Sequence, residues 1–173
     1  MLLNIIGLAV SLLSILAFSW VTQILRDDFN IWRSLGRFGS FPGSFLLFAQ
    51  LLSLSAVYII LHEKFHQWCF RAFGIKTTLH LRTWKPRVTI PDGAACSKYK
   101  ALAAILAPLV VLGAAALLSL LIGPVNYLYL AVFLISTNIG ASSADVSQAL
   151  WLLKYPGSYI FGSEKQGAVL WGP

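Results

Sequence analysis

The residues whose types and spacing could do chemistry lie in one short stretch, His62-Glu63-Lys64-Phe65-His66. On a helix the two histidines share one face, because they are four positions apart, and both imidazoles can bind one Zn²⁺. Glu63 lies between them and can reach a zinc-bound water, whose proton it would take as general base. This HExxH pattern predicts a hydrolytic zinc centre with His62 and His66 as metal ligands and Glu63 as the catalytic residue.

A catalytic zinc needs a third protein ligand and one open position. We favour Asp145, because the small residues at 140–144 allow a close approach to the HExxH helix; a helix N-terminal cap is its alternative role. His80, in a strand-like pattern, and Asp92, in a Pro-Asp-Gly turn, stay open as lesser candidates. Asn138 is polar in a mostly apolar stretch and is a candidate for substrate binding or oxyanion support, with an interhelical hydrogen bond as the alternative.

The composition indicates a membrane protein. Of the 173 residues, 58% are hydrophobic and 11% are charged, whereas soluble domains are about half apolar and about a quarter charged. The net charge of +7 does not indicate nucleic-acid binding, because most lysines and arginines flank apolar runs, where they meet lipid headgroups. Cys69 and Cys96 lack a CxxC spacing and are expected to be free thiols.

Four apolar stretches predict an all-α transmembrane fold, a membrane bundle of about four helices forming a single domain over residues 1–173. A bilayer core requires roughly 20 apolar residues per helix. The predicted spans are residues 2–25, 44–73, 99–122 and 125–155. The first lacks a basic n-region and a clear cleavage site, so we expect it to be retained. HExxH then lies at the end of the second span.

The connection between the second and third spans, Lys76 to Lys100, changes character. Threonine, leucine, valine and isoleucine alternate there, with two prolines and a turn, which predicts a small β-hairpin at the membrane surface. This connection also carries many basic residues, so the positive-inside rule predicts that it and both termini are cytoplasmic, although three arginines in the first connection oppose that orientation. The Gly-rich tail from Gly157 onward is expected to be a surface extension.

The sequence resembles the family described as putative zincin peptidases, small bacterial and archaeal membrane metalloproteases related in plan to the site-2 proteases. The likeness runs from about Ser53 to Pro156 and includes HEKFH followed by Gly74, the basic KYK, the AILAPLVVL span and the segment from Asn138 to Asp145. Site-2 proteases pair HExxH with an Asn and a zinc-binding Asp on a later helix, and Asn138 and Asp145 are similar to these. Ala-Asp-Val replaces the usual Leu-Asp-Gly here, and the Asn-Pro pair is absent.

The leading hypothesis is a zinc metalloendopeptidase in a prokaryotic cell membrane that hydrolyses membrane-associated proteins or peptides, inside or at the edge of the lipid bilayer. Such a substrate would unwind so that its carbonyl could meet the zinc, and a strand within residues 76–88 could hold it by strand addition. The alternative is a non-catalytic membrane scaffold or assembly factor, in which HExxH is a structural metal site or a polar patch. A metal transporter is disfavoured because the spans are nearly free of charge.

Overall fold

The computed structural model describes residues 2–27, 29–36, 39–81, 86–157, 160–164 and 167–172. The helices are α1 (Leu2–Leu25), α2 (Ile31–Gly36), α3 (Phe41–Ala72), α4 (Lys98–Ile122), α5 (Leu128–Ala141) and α6 (Ser143–Leu153). The strands are β1 (Thr78–His80), β2 (Arg87–Thr89), β3 (Ala95–Ser97), β4 (Ile160–Glu164) and β5 (Gly167–Trp171). Two compact units result, one of residues 1–58 and 109–143, the other of residues 59–108 and 144–173. The single domain expected from the sequence stays a prediction.

Among the described residues, three helices are long and apolar enough to cross a membrane, over Ile5–Leu25, Pro42–Ala72 and Lys98–Ile122. At most 22% of the apolar window of each is buried within the protein, so most of this apolar surface is available to lipid. These helices agree with the first three predicted spans. The fourth predicted span is two helices, α5 and α6, separated at Ser142. Taken together, α5 and α6 are long and apolar enough for one membrane span that is interrupted by a bend. A four-helix bundle stays a prediction.

In the first unit, small residues allow α1 and α5 to pack closely. A Cβ atom added to Gly140 would lie 2.5 Å from the carbonyl oxygen of Gly7 and 1.8 Å from the hydroxyl of Ser11. The Ser11 hydroxyl donates a hydrogen bond of 2.9 Å to the carbonyl oxygen of Ser136. Small residues at such a contact let two membrane helices approach with their backbones.

In the first unit, hydrogen bonds also join the end of α1 to the end of α4. The guanidinium of Arg26 donates hydrogen bonds of 3.3 Å to the carbonyl oxygens of Leu121 and Gly123. The last carbonyl groups of a helix have no intrahelical partner, and a cation near them is favourable. Nearby, Phe29 and Leu128 are buried in the core of this unit.

In the second unit, β1 and β2 form an antiparallel hairpin with Leu79 opposite Val88. The hairpin predicted between the second and third spans is therefore confirmed, while residues 82–85, which were part of that prediction, lie outside the described residues. Its orientation relative to a membrane stays a prediction.

The tail does not form a separate surface extension, and that expectation is wrong. β3 pairs with β4, and β4 pairs with β5, which gives a three-stranded antiparallel sheet. Cys96 of β3 lies opposite Phe161 of β4, and both side chains are buried in the core of the second unit. The described part of the chain is therefore mostly helical with two small sheets rather than all-α.

Candidate metal centre

The three side chains favoured as metal ligands lie together in the second unit. His62 Nε2 is 3.0 Å from Asp145 Oδ2, and His66 Nε2 is 3.5 Å from Asp145 Oδ1. The two imidazole rings meet edge to face, with their centroids 4.9 Å apart. One donor atom from each of the three residues lies within 4.8 Å of the other two.

Two helices supply these donors. α3 carries His62 and His66 one turn apart, as the HExxH spacing predicts. Asp145 lies in the first turn of α6, directly after the interruption at Ser142, where the helix dipole favours a carboxylate. Asp145 is inside α6 and so does not precede it as an N-terminal cap would.

The donor set fits zinc, which binds two imidazole nitrogens and a carboxylate in several catalytic sites. With zinc–ligand bonds of about 2.0–2.1 Å, tetrahedral donors lie about 3.3–3.5 Å apart. The histidine Nε2 atoms lie at similar distances, 3.0 and 3.5 Å, from the two different carboxylate oxygens of Asp145. His66 Nδ1 lies 2.9 Å from the carbonyl oxygen of Ala104. A carbonyl oxygen can only accept, so Nδ1 carries a proton, and the neutral ring keeps its lone pair on Nε2 for a metal.

Burial makes a cation favourable at this centre. His62 and His66 are 6% and 9% exposed, and the Asp145 side chain is 17% exposed. A carboxylate in such surroundings is costly unless it is paired with positive charge. A divalent cation among the three donors would provide that charge.

Glu63 is held by the hairpin. Its carboxylate Oε2 accepts a hydrogen bond of 3.0 Å from the backbone N–H of Val88, the central residue of β2. In an antiparallel pair, alternate residues point their N–H and C=O groups toward and away from the partner strand. Because the Val88 amide donates to Glu63, it faces away from β1. No local sequence pattern predicts this contact, because Glu63 and Val88 are 25 residues apart.

The residues of this centre lie in a segment that matches a known protein family. The family described as putative zincin peptidase matches residues 55–160, which is more than half of the chain and includes His62, Glu63, His66 and Asp145. The chain belongs to the putative zincin peptidase family. The resemblance seen in the sequence is therefore confirmed. Neither a curated protein nor a solved structure matches the chain.

Neither lesser candidate for the third ligand joins the centre in this member of the zincin peptidase family. His80 is exposed, and its Nε2 lies 3.0 Å from the hydroxyl of Thr89 in the hairpin. Asp92 lies in an exposed turn. Within the described part of the chain, the cluster of potential metal donors consists of His62, His66 and Asp145.

Asn138 makes interhelical hydrogen bonds in the first unit of this zincin peptidase family member. Its Oδ1 accepts from the hydroxyl of Tyr58 on α3, and its Nδ2 donates over 2.9 Å to the carbonyl oxygen of Leu109 on α4. The side chain is 1% exposed. Gly113 allows this approach, because a Cβ there would lie 2.8 Å from Asn138 Nδ2. These bonds are the alternative role named above, and the substrate role of Asn138 stays a prediction.

Sequence reasoning missed the residues that brace the hairpin against the HExxH helix. Gln67 Nε2 and Arg71 Nη2 donate hydrogen bonds of 3.2 and 2.9 Å to the carbonyl oxygen of Thr77. This ties the segment between α3 and β1 to the helix that carries Glu63. The spacing of Gln67 and Arg71, one helical turn apart just after HExxH, was the available signal.

Proposed function

We propose that this chain is a zinc-dependent endopeptidase of the membrane that hydrolyses peptide bonds in membrane-associated proteins or peptides. The observation that carries the proposal is the cluster of two buried histidines, His62 and His66, with the partly buried Asp145. Glu63 lies on the same helix as the two histidines. Family membership supports the metallopeptidase class. The three long apolar helices support a location in a membrane.

The metal would be held by Nε2 of each histidine and by the Asp145 carboxylate. Three protein ligands leave one position open, which is the arrangement of catalytic rather than structural zinc. When bound, zinc supplies Lewis-acid chemistry, since it makes water a nucleophile near neutral pH and polarises the substrate carbonyl. The Ala104 carbonyl keeps His66 in the tautomer that this binding requires.

Glu63 acts as general base and then as general acid. It takes a proton from the attacking water while the water oxygen bonds to the substrate carbonyl carbon. It then delivers that proton to the departing nitrogen as the carbon–nitrogen bond breaks, so a carboxylic acid and an amine leave. The Val88 amide orients the Glu63 carboxylate before substrate arrives.

The outer edge of β2 is where an extended substrate would bind. In the sheet formed by the described residues, β2 pairs with β1 alone. The Val88 N–H on the other edge already donates to Glu63, and the Val88 C=O on that edge is the group that can accept from a substrate. A peptide that adds to this edge as a further strand lies beside Glu63. A helical substrate would first unwind there, because strand addition needs an extended backbone.

The test is cleavage of an unfolded, membrane-tethered reporter polypeptide by purified protein in liposomes. We expect Glu63→Gln to lower cleavage by about 10²- to 10⁴-fold, the usual contribution of a general base, while zinc content stays that of the wild type. Lys64→Gln is the matched control, because it removes a neighbouring charge of the same helical turn and leaves the donors intact. Cleavage that persists in Glu63→Gln would reject the role of Glu63. A wild-type protein that retains no zinc would favour the scaffold alternative.

A further inference from the structure

One carbonyl of α4 lacks its usual helical partner. In an α-helix the N–H of each residue bonds to the carbonyl oxygen four positions earlier, and Pro108, inside α4, has no N–H to offer to Ala104. Ala104 is 0% exposed, so water cannot replace that partner. The Ala104 carbonyl oxygen instead lies 2.9 Å from His66 Nδ1.

We propose that Pro108 is a positioning residue of the metal centre, which acts on His66 through the Ala104 carbonyl. It supplies no N–H that could compete with His66 for that carbonyl. The inference rests on the proposed function, because it concerns the same zinc centre.

One hydrogen bond satisfies two buried polar groups, the Ala104 carbonyl and the His66 ring N–H. A buried carbonyl without a partner costs free energy, and so does a buried imidazole N–H. Pro108 is itself fully buried, so this turn of α4 is not accessible to solvent. The His66–Ala104 bond satisfies both groups. It holds a proton on Nδ1, so Nε2, which lies 3.5 Å from Asp145 Oδ1, is the ring nitrogen left to bind a metal.

If Pro108 served only to bend α4, a different result would be expected. Proline bends membrane helices, and neighbouring groups then satisfy the freed carbonyl. If bending were the whole effect, restoring an N–H at position 108 would change the helix axis but not the tautomer of His66. If the missing N–H at position 108 is what matters, the His66 tautomer and the zinc affinity should change when an N–H is restored there. They should not change when the proline ring alone is removed.

The experiment compares three replacements in otherwise intact protein in detergent micelles. Pro108→Ala restores the N–H. An ester analogue with lactic acid at position 108 removes the ring but still lacks the N–H. Pro124→Ala, outside α4, controls for the loss of a proline elsewhere. Nitrogen-15 NMR of the histidine rings in zinc-free protein reports the His66 tautomer, and chelator competition reports zinc affinity.

We expect Pro108→Ala to shift His66 from its wild-type state toward a ring without a proton on Nδ1, and to weaken zinc binding by about 10- to 100-fold, as loss of an outer hydrogen bond does. The ester analogue and Pro124→Ala should retain the wild-type tautomer and affinity. Wild-type values for Pro108→Ala, or an ester analogue as impaired as Pro108→Ala, would overturn the inference. Neither readout measures proteolysis. A wild type that fails to bind zinc would defeat the proposed function, while the tautomer comparison would still decide the role of Pro108.

Discussion

The backbone N–H of Val88 donates a hydrogen bond of 3.0 Å to a carboxylate oxygen of Glu63. One residue lies on the hairpin strand β2 and the other on the HExxH helix α3. The bond joins the strand edge proposed for substrate to the group proposed to move the proton. The position of Glu63 would therefore depend on the position of that strand edge.

Removing this bond should slow the chemical step. We expect Val88→Pro to lower kcat by about 10- to 100-fold, because hydrogen bonds to charged groups contribute about 1.5–3 kcal/mol. Proline suits this position, since the Val88 amide faces away from β1. Val88→Ala, which keeps the N–H, should stay close to the wild type in reporter cleavage. Equal kcat values for the two variants would show that the amide does not orient Glu63.

The assignment of the third ligand predicts a pattern of zinc content. Purified wild-type protein should hold about one zinc ion per chain, while His66→Ala and Asp145→Ala should lose it. His80→Ala and Asp92→Ala should retain it, because neither residue lies at the centre. Elemental analysis after dialysis measures this. Zinc loss in His80→Ala, with retention in Asp145→Ala, would move the third ligand to the hairpin.

Zinc should stabilise the folded protein. A ligand that binds only the folded state adds about 2.7 kcal/mol to the free energy of unfolding at a free concentration 100 times its Kd. A chelator should therefore lower the thermal unfolding midpoint of the wild type in detergent. His62→Ala should unfold at the same temperature with and without the chelator. A wild-type thermal unfolding midpoint that is the same with and without zinc would contradict a zinc site formed in the folded state.

The contact between α1 and α5 should not tolerate a larger residue. Gly140→Ala places a Cβ 1.8 Å from the Ser11 hydroxyl and 2.5 Å from the Gly7 carbonyl oxygen, and overpacking costs about 1–3 kcal/mol. Gly36→Ala is the control, because a Cβ there meets nothing within 4 Å. Unfolding in mixed micelles measures both. Equal free energies of unfolding for Gly140→Ala and Gly36→Ala would mean that α1 and α5 can move apart at little cost.

The Cys96 thiol should react slowly at neutral pH. Burial raises its pKa above the ordinary value, and the charge of Lys100 offsets part of that rise. The thiolate is the reactive form, so in a Cys69→Ser background the alkylation rate should rise with pH, with a midpoint above that of the denatured chain. A midpoint below that of the denatured chain would indicate an exposed thiol stabilised as the anion.

Local patterns accounted for much of the fold and, in the candidate site, for His62, Glu63 and His66. Apolar runs about one bilayer long predicted the helices α1, α3 and α4 because the helical hydrogen bonds are internal to each segment. HExxH predicted two imidazoles on one face because neighbours one turn apart are set by helix geometry. The short helix α2, at Ile31–Gly36, and the strands of the tail were not predicted.

The sequence by itself determined the membrane character, the pair of histidines and the hairpin, since each depends on residues close together in the chain. Tertiary structure alone decided that Asp145 rather than His80 or Asp92 lies beside those histidines, that Val88 holds Glu63, and that β3 pairs with the tail. These contacts join segments far apart in the chain, and no local spacing encodes which distant groups meet. The proline in α4 is intermediate: its missing N–H can be read from the sequence, but the imidazole that takes its place cannot.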